Sequence, residues 1–309
     1  MKANRVHDFG APDVIAFEDV PRPIPGEHEV LVRVKAAGVG PWDCWIRAGK
    51  SVLPQPLPLT LGSDLSGIVE SVGAHVEGYA PGDEVFGATN RRFTGACAEY
   101  AVVASGMIAR KPRGPTFAEA AAVPVVAITA WQMLFEQAQV RPGQRVLVHG
   151  AGGSVGANAV QLARHGGAGV IATAGTDDLA YVRSLGADEV IDVRSVRFED
   201  ATGPVDVVLD TVGGDTQRRS FSVLEPGGTL VSIVSPPDAQ YASQRGVRAS
   251  FLLVDVTTAH LDRIAEMIAA GKLATRVGAV MPLAAARTAH EMLEGIRPRP
   301  RGKIVLSGS

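Results

Sequence analysis

Residues 145–156 read Arg-Val-Leu-Val-His-Gly-Ala-Gly-Gly-Ser-Val-Gly, a short apolar run that passes straight into a glycine-rich turn. A helical segment, Ala157-Asn158-Ala159-Val160-Gln161-Leu162-Ala163-Arg164, follows at once. Strand, glycines and helix start in that order constrain the fold strongly, because they belong to layered α/β proteins with a parallel sheet. Glycines let the backbone approach a phosphate closely, and the free N–H groups at the helix start face negative charge. The stretch therefore predicts a site for a dinucleotide pyrophosphate. A glycine string alone is weak evidence, and the same order without a ligand is only a tight turn. The flanking strand and helix supply the confirming context.

The alternation continues downstream. Apolar runs at 145–149, 169–173, 188–192, 205–210, 228–234 and 249–254 read as strands, and segments such as Asp178–Gly186 and Asp215–Leu224 between them read as helices. This predicts a parallel sheet with right-handed crossovers. Residues 1–110 differ: short strands (Glu29–Ala36, Ser66–Val72, Glu84–Phe86, Cys97–Val103) lie between Gly and Pro punctuation, without helical periodicity. Thr116-Phe117-Ala118-Glu119 has the form of a capping box, and a helix is expected over Val126–Gln139. Beyond residue 256 the pattern predicts helices from Thr258 to Gly271 and over Leu283–Leu293, then a closing strand, Gly302-Lys303-Ile304-Val305-Leu306. The expected class is α/β, a doubly wound parallel sheet over 122–255 plus a discontinuous β-rich domain over 1–121 and 256–309.

Composition narrows the function classes. Of 309 residues, 46% are hydrophobic and 20% charged, enough apolar residue for large cores. The net charge of −2 gives no electrostatic case for nucleic acid. No apolar run has bilayer length, and the first residues, Met1 to His7, form no apolar signal region, so no membrane association and a cytoplasmic location are expected. The two cysteines, Cys44 and Cys97, are too few for a disulfide framework or a four-cysteine zinc site.

Several motifs lie along this layout: Ala37-Gly38-Val39-Gly40-Pro41-Trp42-Asp43, Leu61-Gly62-Ser63-Asp64-Leu65-Ser66-Gly67-Ile68-Val69, Pro81-Gly82-Asp83-Glu84-Val85-Phe86-Gly87 and Gly95-Ala96-Cys97-Ala98-Glu99-Tyr100. Ala127-Ile128-Thr129-Ala130-Trp131, Leu185-Gly186-Ala187-Asp188 and the closing strand complete the set. Together they resemble the medium-chain dehydrogenase/reductase superfamily over nearly the whole chain, and within it the zinc-independent quinone oxidoreductase branch. The resemblance implies a Rossmann domain and a GroES-like substrate domain. Zinc members carry a cysteine and a histidine where Gly40 and Ser63 stand here, and neither Gly nor Ser supplies a thiolate or imidazole. No zinc is expected. The seven histidines show no ligand-like spacing, and His149 is expected to be packed or hydrogen-bonded.

The same resemblance implies a nicotinamide cofactor. An acid at the end of the second Rossmann strand usually holds the ribose 2′-hydroxyl of NAD, and Ala174 stands there. That favours NADPH, with NADH as an alternative, and Thr173, Gly175 and Thr176 become candidate donors to the 2′-phosphate. Leu179 and Val193 occupy places where NADP-dependent relatives often have Lys, Arg or Tyr, and Asp177 and Asp178 are read as helix caps. Gly150, Gly152, Gly153, Ser154 and Val155 would hold the pyrophosphate and Val212 the adenine or ribose. Thr129, Val234, Ser235, Phe251, Leu252 and Lys303 would surround the nicotinamide end.

Without a metal, the protein's main task is positioning, and the acceptor must already be electron-poor, as quinones and α,β-unsaturated carbonyls are. Pro41, Trp42, Trp45, Ser63, Asn90, Phe93 and Phe251 are the expected pocket walls, between the domains. Many relatives have Asn at the Gly40 position, where it polarises the substrate oxygen. The enoyl-thioester reductases have a tyrosine acid in the segment matching Gly49-Lys50-Ser51, and none occurs here. Ser63 and Asp43 are the remaining catalytic candidates, with solvent as a further proton source. Two readings stand: a quinone or enone reductase, and a non-catalytic NADPH-binding protein of redox-sensing or crystallin-like type. An exposed sheet edge at about 249–254 suggests a homodimer.

Overall fold

The computed structural model describes residues 1–308. The chain forms two compact units, each described separately below. One comprises Met1–Val125, Val256–Gly271 and the chain from Thr275; the other comprises Val126–Asp255 with Lys272–Ala274.

The first unit opens with strands β1 (Lys2–Val6), β2 (Ala16–Asp19), β3 (Glu29–Val39), β4 (Leu59–Thr60), β5 (Asp64–Val72), β6 (Glu84–Ala88), β7 (Tyr100–Ala104) and β8 (Ile108–Arg110). Helix α1 (Pro41–Arg47) interrupts this β-rich run where no helix was expected from periodicity. Its start is nonetheless legible: Pro41 sits at the first turn, and Asp43 Oδ2 accepts from the Gly40 N–H at 2.7 Å. Helix α2 (Phe117–Ala121) begins at the predicted capping box: Thr116 Oγ1 accepts from Glu119 N, and Glu119 Oε2 accepts from Thr116 N at 2.7 Å.

Helix α3 (Pro124–Trp131) is α-helical only to Trp131 and widens to a π-helix over Gln132–Gln137, where one continuous helix was expected. The second unit then contains β9 (Arg145–Val148), α4 (Ser154–His165), β10 (Gly169–Ala174), α5 (Leu179–Ser184), β11 (Glu189–Asp192) and α6 (Phe198–Ala201). It continues with β12 (Val205–Asp210), α7 (Gly214–Ser220), β13 (Leu224–Ser232), α8 (Ala239–Gln244) and β14 (Arg248–Phe251). Its six strands are parallel in the order β11-β10-β9-β12-β13-β14. The order reverses direction between β9 and β12, the arrangement that leaves a crevice at the strands' carboxyl ends. Strand β10 is buried from Val170 to Ala174 without alternation, as a parallel strand covered on both faces requires.

The chain returns through α9 (Thr258–Ala269), β15 (Val277–Pro282), α10 (Ala286–Leu293) and β16 (Lys303–Ser307). β16 joins the first unit's seven-stranded sheet, ordered β15-β16-β3-β5-β6-β8, with β7 also on β3. Residues 272–274 fall in the second unit because Gln161 clasps Ala274, its amide nitrogen donating to Ala274 O at 2.9 Å and its Oε1 accepting from Ala274 N at 3.0 Å. The expected strand 228–234 lies at Leu224–Ser232, and the expected edge strand 249–254 at Arg248–Phe251.

Candidate active site

The carboxyl ends of β9, β10, β11 and β12 surround a cavity of about 340 Å³. Its floor begins at Gly150, which has φ +70°, a conformation that L side chains rarely adopt. A Cβ at Gly156 would lie 2.4 Å from Gly150 O, so only glycine lets α4 come so close to the turn after β9. α4 is buried along Gly156–Ala163, where Gly156, Ala157, Ala159 and Ala163 are interspersed with Asn158, Val160, Gln161 and Leu162. Its first residues, Ser154 and Val155, are only partly buried, as are Gly152 and Gly153 before them. Amide donors, a helix start and a lack of side-chain bulk thus fit a pyrophosphate at this turn.

The walls depart from expectation in detail. Thr173 is buried and its hydroxyl meets His149 Nδ1 at 3.0 Å, while Thr176 Oγ1 donates to Asp192 Oδ2 at 2.8 Å. Both expected phosphate donors therefore already have a protein partner, Thr173 in the interior and Thr176 at the surface, while Gly175 between them is partly buried. Asp178 stands at the start of α5 but makes no capping hydrogen bond; its carboxylate lies beside Gly152, 2.9 Å from where a Cβ would be. The capping expectation fails because that side chain is turned toward the glycine loop. His149 is packed as expected: Nε2 meets Ser220 Oγ at 3.0 Å, and Phe198 presents its ring at 4.6 Å. Burial pulls its pKa down to about 4, leaving it neutral at pH 7.

Sequence reasoning missed two carboxylates here. Asp210 ends β12 fully buried and accepts from Val212 N at 3.0 Å, Gly213 N at 2.8 Å, Gln217 Nε2 at 3.1 Å and Ser232 Oγ at 2.8 Å. It fixes the turn that exposes Val212 to the cavity. Asp192 ends β11 and accepts from Arg194 N at 3.0 Å and Ser195 Oγ at 3.2 Å as well as from Thr176. The available signal was position, since each is an acid closing a parallel strand. Toward the other end of the site, Val234 is exposed, the Ser235 carbonyl accepts from Gln217 Nε2 at 3.0 Å, and Leu252 N donates to Ser232 O at 2.9 Å. Phe251 is partly buried at the end of β14, and Thr129 is buried on α3.

The first unit carries its own polar cluster. Lys303 Nζ pairs with Asp64 Oδ2 at 2.9 Å, both buried, and lies 4.2 Å from the Trp42 ring centre. The ammonium expected to contact a cofactor is thus committed to a carboxylate. Asp64 Oδ1 accepts from Val125 N at 3.0 Å, and burial raises the Asp64 pKa against the pull of Lys303. Trp42 Nε1 donates to Ser63 Oγ at 2.9 Å, bringing two predicted wall residues together. The indole lies over Gly40: a Cβ there would meet its ring carbons at 2.4–2.6 Å. An Asn side chain at this position would collide with Trp42, which fills the space it would need. Pro41 and Trp45 are exposed, while Asn90 turns inward, its amide donating to Thr94 O at 2.7 Å and holding the turn in which Phe93 has φ +59°. Asp43 is buried with Oδ1 lacking a hydrogen-bond partner among the described residues, and burial pushes its pKa to about 7.

A zinc ion does not fit the corner expected to hold it in zinc-dependent relatives: Gly40 offers no ligand, Ser63 accepts from Trp42, and Asp64 is bound to Lys303. Elsewhere in the first unit Glu27, His28 and His75 bring ligand atoms within 4.8 Å of one another, all exposed. Sequence spacing missed that group because His75 lies far along the chain from the adjacent Glu27 and His28.

Residues 26–130 match the alcohol dehydrogenase GroES-like domain and residues 185–306 the zinc-binding dehydrogenase domain. A quinone oxidoreductase from Sus scrofa is 35% identical over 327 residues, spanning 99% of this chain and 97% of its own length. The chain belongs to the quinone oxidoreductase branch of the medium-chain dehydrogenase/reductase superfamily. Among solved structures, the quinone oxidoreductase from Coxiella burnetii is similar at TM-score 0.92 and 33% identity, over 100% of this chain and 99% of that one. The Escherichia coli quinone oxidoreductase complexed with NADPH is similar at TM-score 0.88 and 27% identity, covering 99% and 100% respectively. Among the described residues no helix is long and apolar enough to cross a membrane.

Proposed function

We propose that this chain is a metal-free, NADPH-dependent reductase of quinones or α,β-unsaturated carbonyls. The carrying observation is the open glycine turn and α4 start beside Ala174, which stands at the strand end where an acid usually holds the ribose 2′-hydroxyl of NAD. The solved relative with NADPH supports that reading. When bound, the cofactor supplies a hydride to an electron-poor carbon. The chain supplies placement. Gly150, Gly152, Gly153, Ser154 and Val155 hold the pyrophosphate, and Val212 covers the ribose side. Val234, Ser235, Phe251, Leu252 and Thr129 orient the nicotinamide end, with Thr173 and Thr176 acting through the packing behind Gly175. Lys303 positions Asp64 and Trp42 rather than touching the cofactor.

In the first unit, Trp42, Trp45, Pro41 and Phe93 offer flat apolar surface for a ring, braced by Asn90. Ser63 accepts from the indole, so its own O–H remains available to bond a carbonyl oxygen, the part Asn plays in many relatives. Asp43 holds the Gly40 N–H and is structural, and solvent supplies the proton. The second reading, NADPH binding without turnover, draws on the full burial of Ser63 behind Trp42. NADPH consumption with a panel of quinones and enones, after exhaustive chelation, decides between them. Turnover supports the reductase; tight binding with no turnover supports the second reading. Pairing of two chains along the β14 edge completes the proposal.

A further inference from the structure

The positions where NADP-dependent relatives often carry a cation hold Leu179 and Val193 here, yet three arginines face the cavity: Arg194, Arg197 and Arg219. Their commitments differ. Arg219 pairs with Glu199 at 3.2 Å and Asp215 at 3.0 Å and lies 4.9 Å from the Phe198 ring centre. Arg197 pairs with Glu199 at 3.2 Å and Asp200 at 4.0 Å. Among the described residues Arg194 forms one ion pair, with Asp177 Oδ2 at 3.6 Å, and the two side chains are 67% and 60% exposed. Its guanidinium lies across the Gly175 backbone, Nε 3.9 Å from where a Cβ would stand. The Asp192 carboxylate fixes the backbone at Arg194, accepting from its main-chain N–H on one side and from the Thr176 hydroxyl on the other. The turns after β10 and β11 are thereby tied together around Gly175, next to Ala174.

Resting on the NADPH reading above, we propose that Arg194, its backbone fixed by Asp192 and its side chain paired with Asp177, reads the 2′-phosphate. A planar guanidinium can grip a phosphate with two parallel hydrogen bonds. Asp177 is then a competitor: the phosphate must displace it from Arg194 and tolerate its charge nearby.

Calorimetric binding of 2′,5′-ADP and 5′-AMP, which share the adenosine and 5′-phosphate, isolates this contact without turnover. The wild-type protein should bind 2′,5′-ADP at least about tenfold more tightly. Arg194→Gln should reduce that preference to within about threefold and leave 5′-AMP unchanged, while Asp177→Asn should raise affinity for 2′,5′-ADP alone. Both side chains are exposed, so neither substitution threatens folding. A wild-type preference that survives Arg194→Gln, or an Asp177→Asn effect shared by 5′-AMP, overturns the role of Arg194 and leaves the NADPH reading intact. Equal wild-type binding of the two probes overturns both.

Discussion

Gly40 and Trp42 act as one unit. The indole occupies the volume a side chain at residue 40 would take, and its N–H is fixed on Ser63. Gly40→Asn should destabilise the protein by about 2 kcal/mol through overpacking. Combined with Trp42→Ala, it should add little to the cost of Trp42→Ala alone, as urea unfolding of the three variants will show; strict additivity would mean the side chains do not compete. Buried titrating groups give a second prediction. His149 and His290 have pKa values lowered by burial to about 4 and about 3, so between about pH 4.5 and 6.5 the unfolded chain holds protons on them that the folded chain lacks. They make stability fall with acidification. Asp43, raised by burial to about 7, works in the opposite direction, since only the folded chain is protonated there in that window. Asp43→Asn should therefore steepen the rise of stability with pH by about 1.4 kcal/mol per pH unit. An unchanged slope in denaturation curves from pH 4.5 to 6.5 would show that Asp43 titrates normally. Such roles were only half legible in the sequence. Gly40 and Ser63 announced the missing zinc ligands, but that Trp42 covers them, and that Asp192 places Arg194, depends on packing between segments far apart in the chain.

At the scale of elements, the nucleotide site depends on how closely α4 approaches β9. Gly156→Ala would put a methyl group 2.4 Å from Gly150 O and push the helix start away from the turn. NADPH affinity, measured by quenching of tryptophan fluorescence, should drop at least about tenfold, the equivalent of about 1.4 kcal/mol. Affinity within twofold of wild type would show that α4 does not set the pyrophosphate geometry. Strongly patterned elements were legible: all six parallel strands and the capping box at Thr116 follow from apolar runs and turn chemistry. The π-widened turn at Gln132–Gln137 was not, because Gln132 is drawn into a two-way bond with Asp255, a partner that local pattern does not reveal. Helix α1 escaped periodicity for a different reason: seven residues make too short a run for a period to show.

For the whole molecule, β14 pairs with β13 alone and leaves one edge of the parallel sheet uncovered among the described residues. Light scattering after size exclusion should give twice the 32.2 kDa chain mass, and a monomer at micromolar concentration would contradict pairing at that edge. The central claim is that hydride transfer here needs NADPH and no metal. Its most direct test is kcat/KM for NADPH and for NADH with one good quinone acceptor, on chelated protein verified free of zinc. The account predicts undiminished turnover with NADPH favoured at least about tenfold. Loss of activity on chelation, restored by zinc, or a preference for NADH, would contradict it.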